Sequence, residues 1–184
     1  MTFSIEKKAV LERIDKSRKQ KIDEKIKSLV DHINSLDNYY TTSSCSGRML
    51  IIARDQGDKK DARWLFSSHD DVSFDDILDT LKDLPKKPVW FKQEPFILHL
   101  CCKTIQDAGL LLQKARDSGI KRAGIISIGR KIIVEIIGTG RIEAIIADKG
   151  ELLVNGGYIK RLVYEADKKM KGNLETLRGF YDII

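Results

Sequence analysis

A chain of 184 residues with 42% apolar and 33% charged side chains can bury a real core, which excludes a disordered polymer. None of its apolar runs approaches the roughly 18–20 residues that cross a bilayer, and three cysteines, two of them adjacent, build no disulfide framework. A reducing cytoplasm is the expected compartment. The formal net charge of +6 is unevenly placed: +4 over residues 1–30, −5 over 31–83, +5 over 84–154 and +2 over 155–184. Such asymmetry suits a basic face for a polyanion such as RNA, beside an acidic flank.

The first 30 residues are charged and helical in pattern, unlike a signal peptide. Ile5, Ala9, Val10 and Ile14 predict a short helix over 5–16; Ile22, Ile26, Leu29, Val30 and Ile33 predict a stronger one over 22–36. Thr41 to Ser46 reads as an overbuilt polar turn at the mouth of a strand, 48–54, which pairs with 62–69 across a polar loop. Ser73, with Asp76 three residues on, caps a helix that runs to about Leu84, before Pro85 and Pro88. "VWFKQ" and "PFILHLCC" are strands, and "TIQDAGLLLQKARDSG" is a helix capped by Thr104 and stopped at Gly119. "AGIISIG", "KIIVEIIG" and "RIEAIIA" follow as an expected antiparallel meander, and a helix with Gly172 as a candidate break closes the chain.

Helices and strands mix without strict βα alternation. The expected class is therefore α+β, with a mixed or antiparallel sheet and flanking helices rather than a doubly wound parallel sheet. One domain, 1–184, is expected, with N-terminal helices (1–36), an α+β core (37–154) and a C-terminal helix (155–184). Strand–strand–helix–strand near 48–93 and strand–helix–strand–strand near 95–138 raise an internal duplication, but identity between them is too low to assign one.

No glycine-rich phosphate loop is present. Gly138-Thr139-Gly140 precedes a strand, lacks a helix N-terminus behind it, and reads as a hairpin turn. His32, His69, His99, Cys45, Cys101 and Cys102 contain no C-x-x-C pair. In a strand, His99 and Cys101 share a face while Cys102 points to the other. Cys45 has Arg48 three residues on, which favours a thiolate, and the amides around Ser44 to Gly47 can form an anion nest. Against that stands a strand entry whose hydroxyls satisfy their own backbone. Lys92, Glu94 and His99 sit about a strand mouth at Pro95, where charged groups suit a pocket rim and plain solvation equally.

"YYTTSSCSGRM", "KQEPFILHLCC", "QDAGLLLQKARDSGIKRAGI" and "RKIIVEI", in this order, resemble the N4-methyltransferase family of tRNA wybutosine synthesis in its archaeal single-domain form. The resemblance spans about residues 20–182, and Trp64 and His69 of "WLFSSH" fall where that family has Trp and His. It implies a non-Rossmann, S-adenosylmethionine-dependent enzyme that methylates N4 of a tricyclic base carrying an aminocarboxypropyl group, at position 37 of phenylalanine tRNA. The family's His-x-x-Cys maps to His99 and Cys102, and Cys101 is an addition of this sequence.

N-methylation needs an unprotonated acceptor nitrogen, so a base is expected, and His99 has a suitable residue type. Ser43, Ser44, Ser46 and Arg48 are expected to hold a carboxylate or phosphate. With Cys45, Gly47, Trp64, His69, Lys92, Glu94, Cys102, Asp117, Ser118 and Gly119 they complete the cofactor- or substrate-binding expectation. Methyl transfer to nitrogen needs no covalent enzyme intermediate, so Cys45 shifts from nucleophile to cradle. Lys86, Lys87, Lys92, Lys121, Arg122, Arg130 and Lys131 are the candidate RNA face. The expected partner is the anticodon region of phenylalanine tRNA, with no membrane, and other wybutosine-pathway enzymes are met only through the shared substrate. The competing readings are a non-catalytic RNA-binding module and a metal enzyme built on Cys45, His69, His99 and Cys102.

Overall fold

Nine strands and five helices are present among the residues that the computed structural model describes, 2–12, 22–55 and 62–184. In chain order they are α1 (Phe3–Leu11), α2 (Glu24–Ser35), β1 (Tyr39–Cys45), β2 (Arg48–Ala53), β3 (Arg63–Ser68) and α3 (Phe74–Thr80). Then follow β4 (Val89–Glu94), β5 (Ile97–Cys102), α4 (Ile105–Asp117), β6 (Arg122–Ile128) and β7 (Ile132–Ile137). The chain ends with β8 (Ile142–Asp148), β9 (Glu151–Leu152) and α5 (Gly156–Ile183). Every strand pair is antiparallel, in two sheets ordered β1-β5-β7-β6 and β3-β2-β4-β8-β9, which makes the fold α+β. No helix among the described residues is long and apolar enough to cross a membrane.

The chain forms two interleaved compact units. The first contains Met1–Ser46, Phe96–Thr139 and Asn173–Ile184; the second contains Gly47–Pro95 and Gly140–Gly172. In the first, one face of the four-stranded sheet carries Phe96, Leu98, Leu100, Cys102, Val134 and Ile136. Ile26, Leu29, Val30 and Ile33 of α2, Ala108, Leu111 and Ala115 of α4, and Leu177 and Phe180 of α5 bury this face. The strands alternate, and the opposite face carries Ser43, His99 and Glu135 in one cross-strand polar row, flanked by the apolar pairs Ile97–Ile137 and Cys101–Ile133. In the second unit, Met49, Ile51, Ala53, Val89 and Phe91 pack with Ile77 of α3 and with Ile159, Leu162, Val163, Ala166 and Met170 of α5.

Helix ends follow local chemistry. Ser73 and Thr104 each accept from the amide three residues on, and Asp76 and Asp107 return the bond, so both helices start with complete capping boxes. At the end of α4 the Ile120 amide donates to the Ala115 carbonyl (2.9 Å) and the Gly119 amide to that of Arg116 (2.9 Å), a Schellman stop with Gly119 at φ 83°.

Five expectations change, the first being that α3 stops at Thr80 rather than near Leu84. Residues 39–45 are strand β1, not a turn. It is an edge strand of its sheet, and the bulge between Thr41 and Ser43 interrupts its ladder. The expected three-strand meander breaks after β7, because β8 pairs with β4 in the other sheet and 138–140 is a crossing rather than a hairpin. The C-terminal helix runs through Gly172 without a break, since Ile159 to Met170 and Leu177 to Phe180 are each buried on its apolar stripe. The first helix ends at Leu11; residues 13–16 of its expected span, and 56–61 of the loop before β3, lie outside the described residues.

Candidate functional site

The hydroxyl run of β1 divides once its partners are counted. Thr41 is tied to Asn34 of α2, its amide donating to Oδ1 at 2.8 Å. Thr42 occupies a bulge and its Oγ1 donates to the His99 carbonyl at 3.2 Å. Ser46 is 3% exposed and donates to the Asp23 carboxylate, so it holds the start of α2 rather than a free anion. Ser43 is exposed directly opposite His99 in the β1–β5 register, and Ser44 is half-buried opposite Leu98. Of the expected hydroxyl cradle, Ser43 thus shares the histidine's face.

His99 sits between two neighbours on that face. Its Nε2 lies 2.8 Å from Oε2 of Glu135, its cross-strand partner on β7, with the two side chains 27% and 30% exposed. A carboxylate only accepts, so the proton sits on Nε2 and the neutral ring keeps its lone pair on Nδ1. Sequence reasoning missed Glu135. The legible signal was a lone carboxylate in the otherwise apolar strand "KIIVEII", at the alternation phase that faces away from the core.

Arg48 opens β2 in the second unit, directly opposite Glu94 of β4. Its Nε donates to Glu94 Oε2 at 2.8 Å, and its guanidinium carbon lies 4.6 Å from the centroid of the Trp64 ring. The side chain is therefore fixed in orientation, and among the described residues the terminal nitrogens of its fork stay available for a second oxyanion. His69 Nδ1 donates to the carbonyl of Gly47 at 2.8 Å, and Gly47 takes φ 97°, a conformation that a side chain would strain. Histidine and glycine together fix where the chain enters β2. Lys92 lies on the same sheet face as Arg48 and bonds Glu143 of β8, another carboxylate that the sequence reading passed over.

Several expected site residues have other work. Cys102 is 2% exposed and belongs to the core face, opposite His99, so the family's His-x-x-Cys places a half-buried histidine and a packing residue on opposite sides of the sheet rather than two ligands together. Burial pushes its thiol up to about 12, and burial raises Cys101 as well, so both stay protonated at neutral pH. Asp117, Ser118 and Gly119 form the end of α4: Gln113 donates to Asp117 at 2.7 Å and Ser118 to the Ala115 carbonyl at 2.8 Å. The set Cys45, His69, His99 and Cys102 is not one ligand group. Cys45 pairs with Ile97 and Cys102 with Tyr39, five residues apart along β5, or about 17 Å. The basic residues divide likewise: Lys86 and Lys87 belong to the second unit, where Lys87 meets Asp55 at 3.6 Å. Lys121, Arg122, Arg130 and Lys131 belong to the first; the first three are exposed, while Lys131 pairs with Glu6 at 2.9 Å.

Glu143 gives a stability prediction. Bonding to Lys92 is the main reason its carboxyl titrates below the ordinary carboxylate range, helped by the charges of Lys92 and Arg141. A depressed folded value means a contribution fully present above the unfolded value near 4.3 and lost as pH falls through the lower folded one. Thermal midpoints should therefore fall more steeply below about pH 4 in the wild type than in Glu143→Gln, which lacks that titration. Parallel acid limbs in the two proteins would contradict this.

A chain with a carboxylate-held histidine and a stacked arginine, and no phosphate loop, finds its counterpart among known proteins. The family model described as Methyltransferase TYW3 matches residues 5–184. A relative from Thermococcus sibiricus, named tRNA(Phe) 7-((3-amino-3-carboxypropyl)-4-demethylwyosine(37)-N(4))-methyltransferase, is 40% identical over 99% of this chain and 94% of its own length. A mouse relative, named tRNA wybutosine-synthesizing protein 3 homolog, is 36% identical over 95% of this chain and 69% of its own length. The solved PH1069 protein of Pyrococcus horikoshii superimposes with a TM-score of 0.92 at 36% identity, covering 98% of this chain and 95% of that one. Matched along nearly its whole length in both sequence and fold, the chain belongs to the Methyltransferase TYW3 family.

Proposed function

We propose that the protein transfers a methyl group from S-adenosylmethionine to N4 of the 7-(3-amino-3-carboxypropyl)-4-demethylwyosine base at position 37 of tRNA(Phe), in the cytoplasm. Membership of a methyltransferase family calls for a methyl donor, and relatives covered along nearly their whole length carry this activity in their names. The observation that carries the reading is the His99–Glu135 pair on the sheet face of the first unit that looks away from the helices.

When bound, S-adenosylmethionine supplies an electrophilic methyl group on a sulfonium. The acceptor ring nitrogen bears a proton that must leave as the new N–C bond forms, and His99 Nδ1 is the acceptor for it. Glu135 holds the imidazole in that tautomer and stabilises the imidazolium that results. Ser43, beside His99, offers a hydroxyl to the substrate edge. Within the second unit, Arg48, already oriented by Glu94 and Trp64, fits a carboxylate through its remaining fork. Calorimetry tests the donor assignment. Stoichiometric S-adenosylmethionine binding supports it; tRNA binding by a chain that takes up no S-adenosylmethionine would leave only an RNA-binding module.

A further inference from the structure

We propose that Arg54, Lys92 and Arg141 form an oxyanion site on the sheet face of the second unit, and that it takes a phosphate of the RNA backbone. The inference rests on the tRNA substrate proposed above and names a contact for it.

The site is built around one carboxylate. Lys92 and Glu143 are cross-strand partners, and Leu50 of β2 is the next residue in the same row. Glu143 Oε1 accepts from Lys92 Nζ and, at 3.3 Å, from Arg54 Nη2; its Oε2 accepts from Arg141 Nη2 at 2.7 Å. Among the described residues three cations thus share one anion, a local excess of two positive charges. The next carboxylate on this face, Glu94, is taken by Arg48. Lys92 makes the excess costly, because it is 9% exposed and a charge removed from water needs full compensation.

The exposures are graded in a way that suits a visiting anion. The Arg141 side chain is 59% exposed, Arg54 26% and Lys92 11%, so one guanidinium meets solvent while two cations lie deeper. Among the described residues each arginine spends one terminal nitrogen on Glu143, and the rest of the two forks matches the oxygens of a phosphodiester. Trp90 lies on the same face two residues before Lys92, whose Nζ is 5.9 Å from the indole centroid, and its buried Nε1 has no acceptor among the described residues. Among the described residues the network thus holds three cations and one carboxylate, a composition that suits a further oxyanion.

An oxyanion there has two sources, a backbone phosphate of the tRNA or the carboxylate of the methyl donor. Arg141→Ala and Arg54→Ala separate them when the full chain is titrated with tRNA(Phe) over a range of KCl and, separately, with S-adenosylmethionine. The phosphate assignment predicts weaker tRNA binding, with the log–log salt slope reduced by about 1 and donor affinity unchanged. Weakened donor binding with normal tRNA binding would keep the oxyanion site but give it to a carboxylate. Unchanged affinity for both, in variants whose thermal midpoints match the wild type, would overturn the site. Should either alanine variant unfold, Arg141→Lys keeps the charge without the fork and is expected to lose part of the affinity; full retention of affinity there would exclude fork recognition. Methyl transfer by the wild type is the control. If the wild type neither binds nor methylates tRNA, it is the substrate reading that fails.

Discussion

His99→Ala is expected to lower kcat for methyl transfer by roughly 10²–10⁴-fold, the usual worth of a positioned general base. tRNA and donor affinities should stay within about twofold, because the pair acts on the transferred proton rather than on binding. The direction follows from the hydrogen bond. With Nε2 donating to Glu135 at 2.8 Å, the ring's remaining lone pair is at Nδ1, and alanine removes both that acceptor and the imidazolium that Glu135 stabilises. Glu135→Gln should cost less, since the amide oxygen still accepts from Nε2 and holds the tautomer, but offers no charge to the imidazolium. Glu135→Ala should cost more than Glu135→Gln. Rapid-quench measurement of one turnover checks the series. Normal chemistry in His99→Ala with saturated tRNA and donor would remove the base assignment, and equal losses in the two Glu135 variants would remove the positioning role.

Phe180→Ala is expected to destabilise the protein by about 3–5 kcal/mol, a large part of the roughly 5–15 kcal/mol available to a folded chain. Phe180 is fully buried where the last turns of α5 meet the helices on the core face of the four-stranded sheet, together with Leu177. Removing the ring leaves a void that these surrounding side chains fill only in part. Urea or thermal unfolding reads the loss, expected as a midpoint fall on the order of 10 °C. Leu110→Ala, on the exposed side of α4 at 59% exposure, should change stability by less than about 0.5 kcal/mol. A loss for Phe180→Ala no larger than that of Leu110→Ala would mean that the end of α5 is not docked as described.

What could be read from the residues was what their neighbours in sequence decide. The limits of α4 came from Thr104, Asp107 and Gly119, each acting within one helical turn, and the structure has the same cap and stop. The first core helix was legible from the spacing of Ile26, Leu29, Val30 and Ile33. Pairings made across the chain were not legible. Nothing local distinguishes β7–β8 from a hairpin, yet β8 crosses to pair with β4, where Gln93 lies opposite Ile142 and Val89 opposite Ala147. Thr41 to Cys45 looked like a turn because edge position, not residue propensity, decides that hydroxyls can form a strand there.

The site shows the same division. His99 and Arg48 were legible by residue type and by family resemblance. Glu135 was visible only as a lone carboxylate in an apolar strand, and its partner, like the contacts of Glu143 with Lys92, Arg54 and Arg141, exists only once the strands are paired. Cys102 and Gly119 are the converse. Both lie in motifs of the family, and both have structural work here, one in the core and one at a helix end.

The most direct test of the account is incubation of the protein with methyl-labelled S-adenosylmethionine and tRNA(Phe) that carries the aminocarboxypropyl demethylated base at position 37. The account predicts one labelled methyl group per tRNA, at N4 of that base, with no incorporation into tRNA that carries unmodified guanosine there. Absence of label in the modified tRNA, or equal label in both, would contradict it.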